Sequence, residues 1–129
     1  MPAPHFFSPA TVHAPGAYSH GVVTSGKLLF VSGQVGFDRE RKVVGGGDFE
    51  AQAVQAFDNL MAVLAEGGAS ARDVVRLGVI LTSRDHLAKL RDVRSRYFTQ
   101  PLPASTLIIA ELILPELMVE VEATAQLPG

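Results

Sequence analysis

Apolar and polar positions follow two different periods along the chain, and the first period is helical. Between residues 48 and 66, apolar side chains recur at i, i+3 and i+4 spacing, which predicts an amphipathic helix. Asp48 is suited to be its N-cap, and the pair Gly67-Gly68 is typical of a left-handed C-terminal cap. A second, shorter helix is predicted to begin at Asp85, and its inward positions are Leu87, Leu90, Val93 and Tyr97.

The second period is that of β-strands. Apolar runs at 21–24 and 28–34 are separated by a Ser-Gly-Lys turn, which predicts a hairpin. Residues 74–82 are apolar on both faces apart from Arg76, as in a strand that is buried on two sides. Prolines divide residues 100–126 into two more strands, and in the second strand polar side chains alternate with apolar ones: Glu120, Glu122, Thr124 and Gln126. Both carboxylates are therefore predicted to share one face of the sheet.

The resulting order, ββαβαββ, predicts an α+β fold with two helices packed on one face of a sheet. No repeat or linker interrupts the chain, so residues 1–129 are interpreted as a single domain. Residues 1–17 carry four of the eight prolines and are predicted to form an extended arm. Because helices can cover only one face of the sheet, apolar residues on the other face predict an oligomer.

Composition narrows the choice of partners. Hydrophobic residues make up 47% of the 129 residues and mean hydropathy is +0.24, which is high for so small a domain. The net charge of −2 argues against nucleic acid as a partner, since nucleic acid requires clustered Lys and Arg. The absence of cysteine excludes disulfides and thiol catalysis. The N-terminal segment has neither a basic start nor a continuous apolar run, so we expect a cytoplasmic protein without a membrane partner.

Several motifs that often carry chemistry lack the spacing that such chemistry requires. No HxH or HExxH spacing links the histidines, so no metal site is predicted at His5, His13, His20 and His86. The glycines at 45–47 precede a helix but are not followed by a Walker lysine. No GxSxG elbow accompanies the serines, which argues against a serine hydrolase. The basic residues of the second helix alternate with aspartates, as on a solvated face.

Glu120 and Glu122 leave two interpretations open. The pair lies in water at a rim or an edge strand, or one carboxylate lies in an apolar cleft. In the cleft, its proton affinity would be raised toward that of a general acid or base. The alternation of side chains along the strand is the same in both cases.

Six segments of the chain resemble the Rid family, the RidA/YjgF group of reactive intermediate deaminases, whose members are also described as endoribonuclease-like. The segments are GAYSHGV (16–22), LLFVSGQVGFD (28–38), GGDFEAQAVQAFDNLMAVLAEGGAS, DVVRLGVILTS, PLPAST and VEVEATA. This resemblance implies a chorismate-mutase-like fold and a homotrimer with a central β-barrel. It also implies clefts between subunits in which 2-imino or 2-enamino acids are hydrolysed to 2-oxo acids and ammonia. No metal or organic cofactor is implied.

The resemblance also implies roles for individual residues. Tyr18, Ser32 and Gly33 are the substrate-binding residues that line the cleft, and Glu120 is the catalytic residue that places or activates water. Glu122 shares the face of Glu120, and the resemblance gives it no role.

The chain departs from the family where an arginine is expected to bind the substrate carboxylate. The family's Pro-Ala-Arg is Pro-Ala-Ser here, so the neutral hydroxyl of Ser105 replaces a bidentate guanidinium. That loss costs on the order of a few kcal/mol of binding in a partly desolvated cleft. Leu107 makes the pocket more apolar, and Arg91 occupies a helix position that is often asparagine. We expect Arg91, Ser105 and Leu107 to bind a neutral or differently anchored imine, enamine or carbonyl compound.

Three functions remain as hypotheses. The first is hydrolysis of an imine or enamine, and the second is binding of a small metabolite in the same cleft without chemistry. The third, endoribonuclease activity, is suggested only by the family description, and the acidic composition argues against it. Whether Arg91 or Arg94 reaches the cleft and supplies a displaced cation is left open by the sequence.

Overall fold

The computed structural model describes residues 2–129. Its elements follow the predicted order, with one additional strand in the N-terminal arm. They are β1 His5–Phe7, β2 Gly21–Val23, β3 Leu28–Val35, α1 Phe49–Glu66, β4 Val74–Leu81, α2 Leu87–Ser95, β5 Ala104–Ile109 and β6 Val119–Gln126. Short 3-10 turns at Ala71–Asp73 and Arg84–His86 precede β4 and α2.

The strands form two separate sheets. β3, β6, β4 and β5 form a four-stranded sheet in that order, in which β6 is antiparallel to both neighbours and β4 is parallel to β5. β1 and β2 form a small antiparallel sheet of their own. The hairpin predicted between β2 and β3 was therefore wrong, because β3 pairs with the long strand β6 instead. The turn between them still exists, and Gly26 has the positive φ of 79° that favours glycine there.

The local signals at the ends of the first helix acted as predicted. Asp48 accepts a hydrogen bond of 3.0 Å from the backbone N–H of Glu50 and caps α1. Gly68, with φ of 90°, is the left-handed residue that follows the helix. The second helix begins later than predicted, since Asp85 lies in a 3-10 turn, where its backbone N–H donates to the Ser83 hydroxyl at 3.1 Å.

The core lies between the two helices and one face of the four-stranded sheet. Fully buried side chains of the two helices pack on alternate residues of strand β6. The helix residues are Phe57, Leu60 and Leu64 of α1 and Leu90 and Val93 of α2, and the strand residues are Val119, Val121, Ala123 and Ala125. The face away from the helices is open within one chain. Large apolar side chains are exposed there or at its border, including Phe30 at 72%, Ile108 at 49% and Leu28 at 40%.

Neither helix within residues 2–129 combines the length and the apolar run that a membrane crossing needs.

Candidate functional site

A cavity of about 780 Å³ opens on the helix side of the sheet, between α2, the segment after it and strand β5. Four of the residues predicted to bind substrate line it together: Tyr18, Arg91, Ser105 and Leu107. Arg94 lines it as well. The rest of the wall is mainly apolar and includes Leu87, Phe98 and Leu102.

The parallel pairing of β4 and β5 places Ser105 and Leu107 in this cavity. Ser105 is opposite Leu77 and Leu107 is opposite Val79, and both partners are buried in the core beneath the helices. Because side chains alternate along a strand, Ser105 and Leu107 therefore face the helices, while Thr106 between them faces the open side.

The segment that carries Tyr18 is held against β5 by hydrogen bonds. The backbone N–H of Ser19 donates to the carbonyl of Pro103 at 3.0 Å, and the Ser19 hydroxyl donates to the carbonyl of Leu102 at 2.6 Å. The Tyr18 hydroxyl shares a hydrogen bond of 2.8 Å with Nε2 of His13. Sequence reasoning did not predict that His13 lies beside the site. His13 belongs to no recognisable motif, so the sequence contained no signal for this contact.

The two arginines of the cavity differ from the other basic residues of α2 and its end. Lys89 and Arg96 form ion pairs with Glu50 at 3.3 and 2.6 Å, and both also approach Asp92, so the solvated-face interpretation holds for them. Arg91 and Arg94 form no ion pair with a carboxylate among residues 2–129. Burial, and secondarily the charge of Arg91, lower the pKa of the Arg94 guanidinium below its ordinary value.

The remaining predicted residues lie on the open face of the sheet and do not line the cavity. A Cβ placed on Gly33 would lie 2.1 Å from Oε2 of Glu120, so the glutamate side chain lies directly over this glycine. Ser32 is exposed beside it, where the pairing of β3 with β6 shifts register between Val31 and Gln34. Glu120 is half-buried and lies on β6, an interior strand of the sheet rather than an edge strand.

Glu122 lies on the same face as Glu120, as predicted, but it is exposed. Its side chain covers Gly78 of the neighbouring strand, where an added Cβ would be 2.9 Å from Cγ of Glu122. Each glutamate thus lies over a glycine on a different neighbouring strand. Among residues 2–129, no group of three or more His, Asp or Glu side chains is arranged to hold a metal ion.

The family model described as Endoribonuclease L-PSP matches residues 9–127, nearly the whole chain. The chain belongs to the Rid/YjgF family. The conserved Rid protein YyfB of Yersinia pestis, a protein of unknown function, is 36% identical, and its structure superposes with a TM-score of 0.84 over 96% of this chain and 98% of that one. The α+β fold with two helices on a mixed sheet is therefore that of solved Rid proteins.

Relatives in the Rid family carry different descriptions. A RutC family protein of Pyrococcus abyssi is 34% identical over 85% of this chain and 86% of its own length. A protein of Dermatophagoides farinae, named 2-iminobutanoate/2-iminopropanoate deaminase, is 34% identical over 75% of this chain and 76% of its own length. Family membership is thus shared by proteins with dissimilar names, so the reaction of this chain has to be argued from its own residues.

Proposed function

We propose that this Rid protein hydrolyses an imine, an enamine or a related reactive metabolite in clefts between the subunits of a homotrimer. The observation that carries the proposal is the division of the candidate residues between two faces of one sheet. Tyr18 and Ser105 line the helix-side cavity, whereas Gly33 and Glu120 lie on the open face. If a second copy packed with its open face next to the cavity of the first, Gly33 and Glu120 of one copy and Tyr18 and Ser105 of the other would line one cleft.

The exposed apolar residues of the open face support this assembly. Phe30 and Ile108 are too exposed in a single chain to be explained by packing within it. Burying such side chains against other copies is favourable by about 25 cal/mol for each Å² of apolar surface removed from water. A trimer built on this face would form the proposed central barrel and leave the helices outside.

The proposed chemistry needs one water molecule and no cofactor. The Glu120 carboxylate takes a proton from water as the water oxygen adds to the C=N carbon, and it passes that proton to the nitrogen to give the neutral carbinolamine. The same carboxylate then takes the hydroxyl proton of the carbinolamine and delivers it to the nitrogen as the C–N bond breaks, so that an imine and one water molecule give a carbonyl compound and ammonia. Tyr18 and Ser105 supply hydroxyl groups that orient the substrate, and Leu107 with Phe98 excludes bulk water.

The test is ammonia release from imines generated in situ by an amino-acid oxidase, with 2-imino acids and with neutral aliphatic and aromatic imines. We expect Glu120→Gln to lower kcat by roughly 100-fold or more, within the usual range for removal of a general base. Glu122→Gln is the matched control, because it removes the same charge two residues further along the same strand. A wild-type protein that accelerates hydrolysis of none of these imines over buffer refutes the proposal.

The second candidate is a binding module without catalysis, and Ser105 is the observation that favours it. Its hydroxyl provides a single neutral donor where the Rid resemblance implies an arginine. In that case a panel of small metabolites would raise the melting temperature without any turnover. Endoribonuclease activity has only the family description in its favour, and we expect any such activity to disappear on repurification.

A further inference from the structure

We propose that Arg91 and Arg94 form an anion-binding end of the helix-side cavity, and that its ligand is an amphipathic dianion carrying two carboxylates or one phosphate. The inference rests on the proposed function only in taking this cavity as the ligand site. It names the class of substrate that a Rid cleft with Ser105 would accept.

Arg94 is in an unusual position for a basic side chain. Within residues 2–129 it is the only lysine or arginine that is not exposed, and it lines the cavity. Transferring a cation out of water is costly unless an opposite charge compensates it. Among the described residues, Arg94 is therefore the one basic side chain whose partial burial is unfavourable, and it lines a cavity of about 780 Å³ that can admit a ligand.

No carboxylate of the described chain compensates Arg94. The cavity wall contains two arginines and no aspartate or glutamate. On the same helix, Lys89 and Asp92 lie within 3.9 Å of each other, and Asp92 also pairs with Arg96 at 2.9 Å. The acidic groups of this region are thus used outside the cavity, and within one chain the two arginines of the cavity have no carboxylate partner.

Arg91 also supports an anionic ligand, because it is a second cation in the cavity next to Arg94. Residues three positions apart on a helix are neighbours on one face, and like charges at that spacing repel. In agreement with this geometry, the nearby charge of Arg91 contributes, after burial, to the lowered pKa of Arg94. A single negative charge would neutralise half of the pair, whereas a dianion matches both guanidinium groups and relieves their repulsion.

The rest of the cavity wall indicates what else the ligand should contain. Phe98, Leu102 and Leu107 present apolar surface, and the hydroxyls of Tyr18 and Ser105 complete the cavity. The ligand that fits therefore carries two anionic groups and an apolar segment. A 2-imino dicarboxylic acid has this composition, with one carboxylate beside the reactive carbon and the other at the end of a short methylene chain, and its hydrolysis gives a 2-oxo dicarboxylate that is stable enough to use as a probe.

Titration calorimetry with 2-oxoglutarate, 2-oxobutanoate and inorganic phosphate tests the inference without requiring turnover. We expect the wild-type protein to bind the dianions at least tenfold more tightly than the monocarboxylate. Arg94→Gln and Arg91→Gln should each weaken 2-oxoglutarate binding by roughly 10- to 100-fold, the range for loss of a charge-assisted hydrogen bond. Arg84→Gln is the matched control, since Arg84 is exposed and lies outside the cavity, and it should change affinity less than twofold.

Two results would overturn the inference. One is equal affinity for 2-oxoglutarate and 2-oxobutanoate, or dianion binding that is unchanged in Arg94→Gln. The other is an Arg94→Gln protein that loses self-association in sedimentation while each chain binds dianions as before, because Arg94 would then pair with a carboxylate of a neighbouring copy. Ammonia release by the wild-type protein and its dependence on Glu120 are measured separately, so failure of the anion site is distinguishable from failure of the proposed hydrolysis.

Discussion

The two faces of the four-stranded sheet carry opposite chemistry. The helix side contains a largely apolar cavity with Arg91 and Arg94 and no acidic side chain. On the open side, Glu120 and Glu122 lie over glycines among exposed apolar residues. The residues of the proposed cleft are thus divided between two faces of one chain, and the sheet itself keeps the two groups apart. The substitutions that follow alter one face at a time, and each has a matched control variant.

The largest effect is expected from Ser105→Arg, which adds to the helix side the guanidinium that the Rid resemblance implies. We expect hydrolysis of 2-imino monocarboxylates, measured as kcat/KM for ammonia release, to rise by roughly 100-fold, since a charge-assisted clamp is worth a few kcal/mol. Ser105→Met fills a similar space without charge and should give no gain. Equal activity of both variants would show that the open face, and not the carboxylate clamp, limits the reaction.

Phe30→Asp tests whether the open face is covered by other copies. An aspartate at this position would leave a charge in the proposed interface and remove a large apolar side chain, so we expect assembly to weaken by roughly 30-fold per contact. Val23→Asp is the control, because Val23 is similarly exposed at 60% but lies on the separate two-stranded sheet. Sedimentation velocity measures both. A Phe30→Asp protein with unchanged assembly would locate the contact between copies elsewhere.

Gly33→Ala and Gly78→Ala distinguish the roles of the two glutamates on the open face. The new Cβ at residue 33 would lie 2.1 Å from Oε2 and 2.7 Å from Cδ of Glu120, so that side chain must move. The new Cβ at residue 78 displaces Glu122 in the same manner, from 2.9 Å. We expect roughly a tenfold loss of kcat in the first variant and less than a twofold change in the second. Similar losses in both would assign Glu122 a part in the site.

The smallest effect is expected from His13→Ala, which removes the hydrogen-bond partner of Tyr18 on the helix side. A neutral hydrogen bond contributes about 1 kcal/mol, so substrate affinity should fall by roughly fivefold while the melting temperature changes little. His5→Ala is the control, because His5 is also exposed but contacts Phe7 in strand β1. In Tyr18→Phe the substitution of His13 should have no additional effect. An additional loss in that background would mean that His13 acts on the site independently of Tyr18.

Sequence reasoning was accurate where local signals were sufficient. The cap at Asp48, the helical stripe of α1 and the glycine stop gave the first helix within one residue of its observed bounds. Alternation along β6 placed Glu120 and Glu122 together on one face. The hairpin between β2 and β3 failed because a turn signal reports only local backbone preference. It carries no information on the longer ladder that β3 forms with β6, a strand about a hundred positions later.

The sequence by itself determined the elements, their order and the chemical groups available, including a serine at position 105. Only the tertiary structure determined that Ser105 and Arg94 share a cavity while Glu120 lies across the sheet from them. The period of a strand fixes which of its residues share a face, but the register between strands fixes which face that is. Register arises from packing between distant segments, and here the parallel pairing of β4 with β5 turns Ser105 toward the helices.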